Sequence, residues 1–268
     1  MAAEVRAAKP TDRARRRRRI AAALAGVLAL AGIAACGVAL VWSNAYPRGP
    51  LFDPIAELPK AMPAEDAERN ARRIAVAFAD TQVFWTQALG SGATGYASAR
   101  LVLFTRVTGT PCAPGVGTAG PFYCSQSANA AFDLLFFEAL GRRLRRNADL
   151  GLALVVARVV GSHARGQLAH RAGSDPRTEA LIADCLAGVW AAARSRRIGE
   201  VPPGFYGRMV QIARNTAGDL ARTGPAIHRE LDPFRPGRIA DREAAFQTGY
   251  STLDPAICPV AGTLSVAR

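Results

Sequence analysis

Histidine is scarce in this chain: 268 residues contain three, His163, His170 and His228. A metal centre built on imidazoles has little to draw on. His163 and His170 stand seven apart. On a helix they share a face but lie about 10 Å apart along the axis, too far for one ion. Acidic side chains are outnumbered, 21 Asp and Glu against 34 Lys and Arg, and almost all the basic residues are arginine. No Gly-x-Ser-x-Gly elbow flanks Ser162, and no ordered Ser/His/Asp set accompanies it, which excludes a serine hydrolase of that kind. There is no internal repeat.

Half of the residues are hydrophobic and 21% are charged, a globular composition with room for one domain and some additions. The net charge is +13. Nearly half of the excess lies in the first nineteen residues, where seven arginines and Lys9 face Glu4 and Asp12 for a net +6. Such a run can mark nucleic-acid contact, but its continuation decides otherwise. Residues 20–42 carry no charge and are long enough to cross a bilayer core. Arg15 to Arg19 immediately precede them. The positive-inside rule then places the tail in the cytoplasm and the remainder outside. Trp42 and Tyr46 fall where an interfacial aromatic belt belongs. The expected partner is thus a membrane and not a nucleic acid. The expected location is the bacterial cell membrane, in a single pass. Ile33-Ala34-Ala35-Cys36 resembles a lipoprotein cleavage box, so acylation at Cys36 or a cleaved signal is the alternative.

The expected organisation is a basic tail at 1–19, an anchor at 20–42, a linker at 43–63 and one domain at 64–268. The linker holds Pro47, Pro50, Pro54, Pro59 and Pro63, which stiffen and extend it. In the domain, apolar spacing predicts helices over 64–89, 134–146, 150–168, 178–194, 205–221 and 239–250. Residues 100–107 read as a strand, with 130–133 as a short second strand pairing back on it. The fold class is α+β, mainly helical with a small β-hairpin. Cys112, Cys124, Cys185 and Cys258 lie in the exported part, where disulfides form. Four cysteines allow three pairings. Cys112 and Cys124 bracket a Gly/Pro-rich loop, which favours local closure.

Six blocks in order carry a resemblance: Val83-Phe84-Trp85, Leu101-Val102-Leu103-Phe104, Gly120-Pro121-Phe122-Tyr123-Cys124, Phe132-Asp133-Leu134 with Phe136-Phe137, Ala183 to Trp190 (ADCLAGVW), and Gly249-Tyr250 with Asp254 to Cys258 (DPAIC). Over about residues 64–260 the chain resembles the bacterial neutral zinc metallopeptidases. That resemblance implies a zincin-like domain and the pairings Cys112–Cys124 and Cys185–Cys258. It also implies a core helix bearing HEVGHH. Two histidines four apart on such a helix hold zinc, and the glutamate between them activates the bound water. A third ligand comes from the Glu of ELQADC in a later helix.

The matching segment here is Ala157-Arg158-Val159-Val160-Gly161-Ser162-His163. Arg158 and Ser162 stand at the first and second ligand positions, Val159 at the general base and Ala180 at the third ligand. Arginine stays protonated and cannot ligate, and valine offers no base. Phe234-Arg235-Pro236-Gly237 resembles the family's FTHG with Pro236 in place of histidine. The expectation is therefore a pseudopeptidase with no catalytic residue and no cofactor, where the family uses zinc. His163, Glu179 and Asp184 are weak candidates for a rebuilt metal site. With the histidine gone, Asp184 is expected to face a cavity, and two outcomes stay open: Arg158 pairs with Asp184 and replaces the positive charge of the metal, or Arg158 snorkels to solvent and Asp184 caps another group.

Three functions follow as expectations. The first is a non-catalytic domain whose former cleft takes a protein or peptide ligand. The alternatives are an active metallopeptidase with a rebuilt site and a basic, membrane-tethered module for anionic polymers or lipids.

Overall fold

A computed structural model describes residues 62–91, 95–168, 175–223 and 232–258. The tail, the anchor, nearly all of the linker, His170 and His228 lie outside the described residues. Among those described, no helix is long and apolar enough to cross a membrane.

The chain opens with α1 (Ala64–Leu89), followed by five short strands: β1 (Arg100–Phe104), β2 (Thr108–Thr110), β3 (Ala113–Thr118), β4 (Phe122–Cys124) and β5 (Asn129–Asp133). Helices α2 (Leu134–Leu144), α3 (Ala148–Gln167), α4 (Pro176–Ala193), the single turn α5 (Ser195–Ile198), α6 (Phe205–Thr223) and α7 (Ile239–Thr252) complete it, with a 3-10 turn at Pro255–Ile257. The mainly helical α+β class agrees with the sequence, and α1 has the expected bounds.

The strands depart from expectation. β1 and β5 pair in parallel, Leu101 opposite Ala130 and Leu103 opposite Phe132. The antiparallel partner of β5 is β4, so the sheet order is β1-β5-β4. The hairpin expected between 100–107 and 130–133 is therefore absent. The segment between them is too structured to act as a turn: it makes its own β2–β3 ribbon and is closed by the Cys112–Cys124 disulfide. It returns through β4 on the far edge of β5. β5 is thus central and buried along most of its length, as a strand covered on both faces should be.

Asp133 fixes the junction from sheet to helix. Its Oδ1 accepts from Leu135 N and Arg106 N, both at 3.0 Å, and its Oδ2 accepts from Gly120 N at 3.3 Å. The first of these caps α2. The second fixes the bend just after β1, where Arg106 is held at φ 70°.

α3 is the core of the domain. Thirteen of its residues are buried, including every one from Gly151 to Gly161, as befits a helix apolar on all sides. Glycines set how closely its neighbours approach. A Cβ at Gly161 would lie 3.0 Å from Ala183 O, so α3 and α4 meet near backbone contact there. α4 and α7 meet closer still, since a Cβ at Gly249 would lie 1.9 Å from Cys185 O. In α2 the inward face is Leu134, Phe136, Phe137, Leu140 and Leu144, with Leu135 only half-buried.

Candidate functional site

The close α3–α4 crossing brings Arg158 to Asp184. Arg158 Nε donates to Asp184 Oδ1 at 2.9 Å, with side-chain exposures of 2% and 0%. Asp184 does not face a cavity, contrary to expectation. Arg242 of α7 donates Nε to Oδ2 at 2.6 Å and Nη2 to Oδ1 at 2.7 Å. Tyr206 of α6 donates its hydroxyl to Oδ1 at 2.6 Å. Two buried guanidinium groups and one phenol therefore surround one buried carboxylate. Burial and the adjacent Arg242 charge push the Arg158 pKa down, while Asp184 pulls it up. For Arg242 burial also works against the charge, but the Asp184 carboxylate prevails and its pKa is raised. Burial and the Asp184 charge push the Tyr206 hydroxyl well up, so it stays protonated and can donate.

Phe234 lies beneath both guanidinium groups, its ring centroid 5.4 Å from Arg158 Cζ and 5.9 Å from Arg242 Cζ. Its carbonyl accepts from Arg242 Nη1 and from Arg214 Nε, each at 2.9 Å. Arg214 also donates to Gly237 O at 2.8 Å. The Phe-Arg-Pro-Gly turn is thus fastened by arginines from α6 and α7.

Arg158 also lines a cleft of about 130 Å³, together with Tyr123, Ser162, Glu179, Ala180, Asp232 and prolines 176, 233 and 236. Three of the four substituted chemical positions (Arg158, Ser162 and Ala180) border this cleft. The fourth, Val159, is buried in the apolar core. Asp232 accepts from Phe234 N at 2.9 Å. Burial pushes its pKa up, against the pull of Arg158, Arg242 and Arg214.

The candidate metal ligands are engaged elsewhere. His163 is buried. Its Nε2 donates to Ala97 O at 2.6 Å, and its Nδ1 accepts from the Tyr123 hydroxyl at 2.8 Å. Burial holds its pKa below the ordinary imidazole value. Gln167 braces the same loop, accepting from Ala97 N at 2.7 Å and donating to Ala97 O at 2.8 Å. Glu179 pairs with Arg165 Nη2 at 3.0 Å. Among the described residues no three His, Cys, Asp or Glu side chains are grouped so as to hold an ion. The residues present do not fit zinc: the centre of the cluster is occupied by cations, and both nitrogens of His163 are committed.

Comparison with known proteins supplies the family. A family model described as "Putative neutral zinc metallopeptidase" matches residues 54–260. The chain belongs to this family. It is similar to the uncharacterized protein YpfJ of Escherichia coli strain K12, 27% identical over 218 residues, which cover 75% of this chain and 74% of that one. It is also similar to the uncharacterized protein Rv2575 of Mycobacterium tuberculosis strain H37Rv, 32% identical over 191 residues, 61% of this chain and 62% of the other. No solved structure matches.

Several of the family-like blocks have structural work to do. In Ala183 to Trp190, Asp184 holds the arginines, Cys185 bonds Cys258, Gly188 lies against Phe246 O, and Trp190 Nε1 donates to Asp80 at 3.2 Å. Arg242, Arg214 and Asp232 were not singled out from sequence. They are a few among many charged residues, and only the folded arrangement distinguishes them. Nor did the sequence mark Tyr206 as a partner of Asp184.

Proposed function

We propose that this chain is a membrane-anchored, non-catalytic member of the neutral zinc metallopeptidase family that retains the cleft as a binding surface. The observation that carries this reading is the buried Arg158, seated at the first ligand position and bonded to Asp184 at 2.9 Å. A zinc ion needs about three protein ligands and an open position for water. A guanidinium at that place supplies no lone pair and repels the ion. Val159 removes the base that would activate water. The anchor rests on the uncharged run at 20–42 behind five consecutive arginines.

The test is the zinc content of the purified full-length chain after dialysis against trace zinc, read by elemental mass spectrometry beside a peptidase assay. Less than a tenth of an equivalent, with no cleavage, is expected. One zinc per chain would overturn the reading and turn attention to the active-metallopeptidase alternative.

A further inference from the structure

The buried cluster carries one positive charge too many. Asp184 is already met by both Arg242 donors and by Tyr206, so Arg158 is not needed to satisfy it. Arg158 spends only its Nε on that carboxylate. Its Nη1 is buried and has no hydrogen-bond partner among the described residues. A buried guanidinium nitrogen without an acceptor is costly, and such groups ordinarily find one. The same side chain borders the cleft of about 130 Å³.

We infer that this cleft binds a small carboxylate, with Arg158 Nη1 as its principal donor and Ser162 Oγ as the second. Ser162 stands one helical turn after Arg158 and lines the same cleft. Its hydroxyl makes only a long 3.5 Å bond to Arg158 O, so it is available to turn toward a ligand. Guanidinium nitrogens match a carboxylate in geometry and charge. The walls select against a more highly charged anion, because Glu179 and Asp232 also face the cleft. Glu179 is paired with Arg165 and Asp232 is attracted by Arg214 as well as by Arg158 and Arg242, so one surplus positive charge remains, which suits a monovalent ligand. The prolines at 176, 233 and 236 and the small Ala180 give the remaining wall an apolar, rigid character. A free small carboxylate and the carboxyl end of a peptide share this chemistry. This inference rests on the non-catalytic reading, since a metal-loaded site would leave no room for it.

The test is calorimetric titration of the full-length chain in detergent micelles, at fixed ionic strength, with acetate, N-acetyl-alanine and N-acetyl-alanine amide. Both carboxylates are expected to bind saturably, and the amide at least ten-fold more weakly. A ten-fold preference for N-acetyl-alanine over acetate identifies a chain end as the ligand, and equal affinity identifies a free small carboxylate. Arg158→Gln is expected to abolish binding. Ser162→Asp, at the cleft edge, supplies an internal carboxylate from the next turn and should abolish binding with the fold intact, both disulfides formed and the melting temperature unchanged. Wild-type protein that binds neither carboxylate, or binds the amide equally well, overturns the inference. Zinc content measured on the same sample separates the two failures. Zinc-free protein without carboxylate binding sinks only this proposal, whereas one zinc per chain sinks the non-catalytic reading beneath it.

Discussion

Arg242 grips Asp184 through two donors, Nε at 2.6 Å and Nη2 at 2.7 Å, whereas Arg158 reaches the same carboxylate through Nε alone at 2.9 Å. The two arginines should therefore differ in their effect on stability. Removing Asp184 leaves two buried guanidinium groups uncompensated, and Asp184→Ala is expected to cost about 3–5 kcal/mol. Arg242→Met should cost less, since Arg158 and Tyr206 remain. Arg158→Met should cost least, within about 1 kcal/mol, because it also removes an unsatisfied nitrogen. Urea denaturation of the three variants checks the order. An Arg158→Met cost equal to that of Arg242→Met would contradict it.

The two disulfides close loops of different length. Cys112 and Cys124 are 12 apart in sequence, and Cys185 and Cys258 are 73 apart. On the chain-entropy account the first is worth about 3 kcal/mol and the second about 4.5 kcal/mol. The longer bond also ties the last turn of the described chain to α4. Cys185→Ala/Cys258→Ala should thus lower the melting temperature more than Cys112→Ala/Cys124→Ala. Calorimetry of the paired variants under identical conditions reads this directly, and a reversed order would argue against it.

The helices were legible because their apolar residues recur at helical spacing over long stretches, and α1 ran from 64 to 89 as its pattern indicated. The β1–β5 direction was not legible. Alternation reports which face of a strand is buried, but not whether its partner runs parallel. The charge cluster was half legible. Arg158 and Asp184 stood out only against the family's ligand pattern, while Arg242 lies 58 residues from Asp184 among many other arginines. The cysteine pairing agrees with what the family resemblance implied, where the cysteine count alone left three choices. The fate of His163 could not be read at all, because its partners, the carbonyl of Ala97 and the hydroxyl of Tyr123, lie 66 and 40 residues away.

The α4–α7 contact depends on the absence of side chains. A Cβ at Gly249 would lie 1.9 Å from Cys185 O, and one at Gly188 would lie 2.1 Å from Phe246 O. Each obstacle is backbone and cannot turn aside. Gly249→Ala and Gly188→Ala must push α7 away from α4, which also loosens Arg242 from Asp184. Each is expected to cost about 3 kcal/mol, at the upper end for overpacking. Gly218→Ala is the control, since a Cβ there meets nothing within 4 Å and alanine is the better helix former. It should be neutral or slightly stabilising. Thermal unfolding of the three variants decides the matter, and equal melting temperatures would refute the close approach.

His163 should make stability depend on pH near neutrality. Burial lowers its pKa in the folded chain, while in the unfolded chain it titrates near about 6.5. Between the two values the unfolded state holds more protons, so stability rises with pH. On acidification the penalty begins as pH falls below about 7 and grows until the folded-state imidazole itself protonates. Protonation would also end the bond that Nδ1 accepts from the Tyr123 hydroxyl, leaving two donors facing each other. Asp133 and Asp232 shift the opposite way, their folded-state pKa values being raised by burial. Their stabilising contribution is present at low pH and is lost as pH rises through those values. The total profile therefore mixes both signs, and the histidine must be isolated by difference. His163→Gln should lower stability at pH 7.5, yet lose less than the parent chain on going to pH 5.5. Denaturation curves at the two pH values give the comparison, and equal losses in both proteins would show that His163 titrates normally in the folded chain.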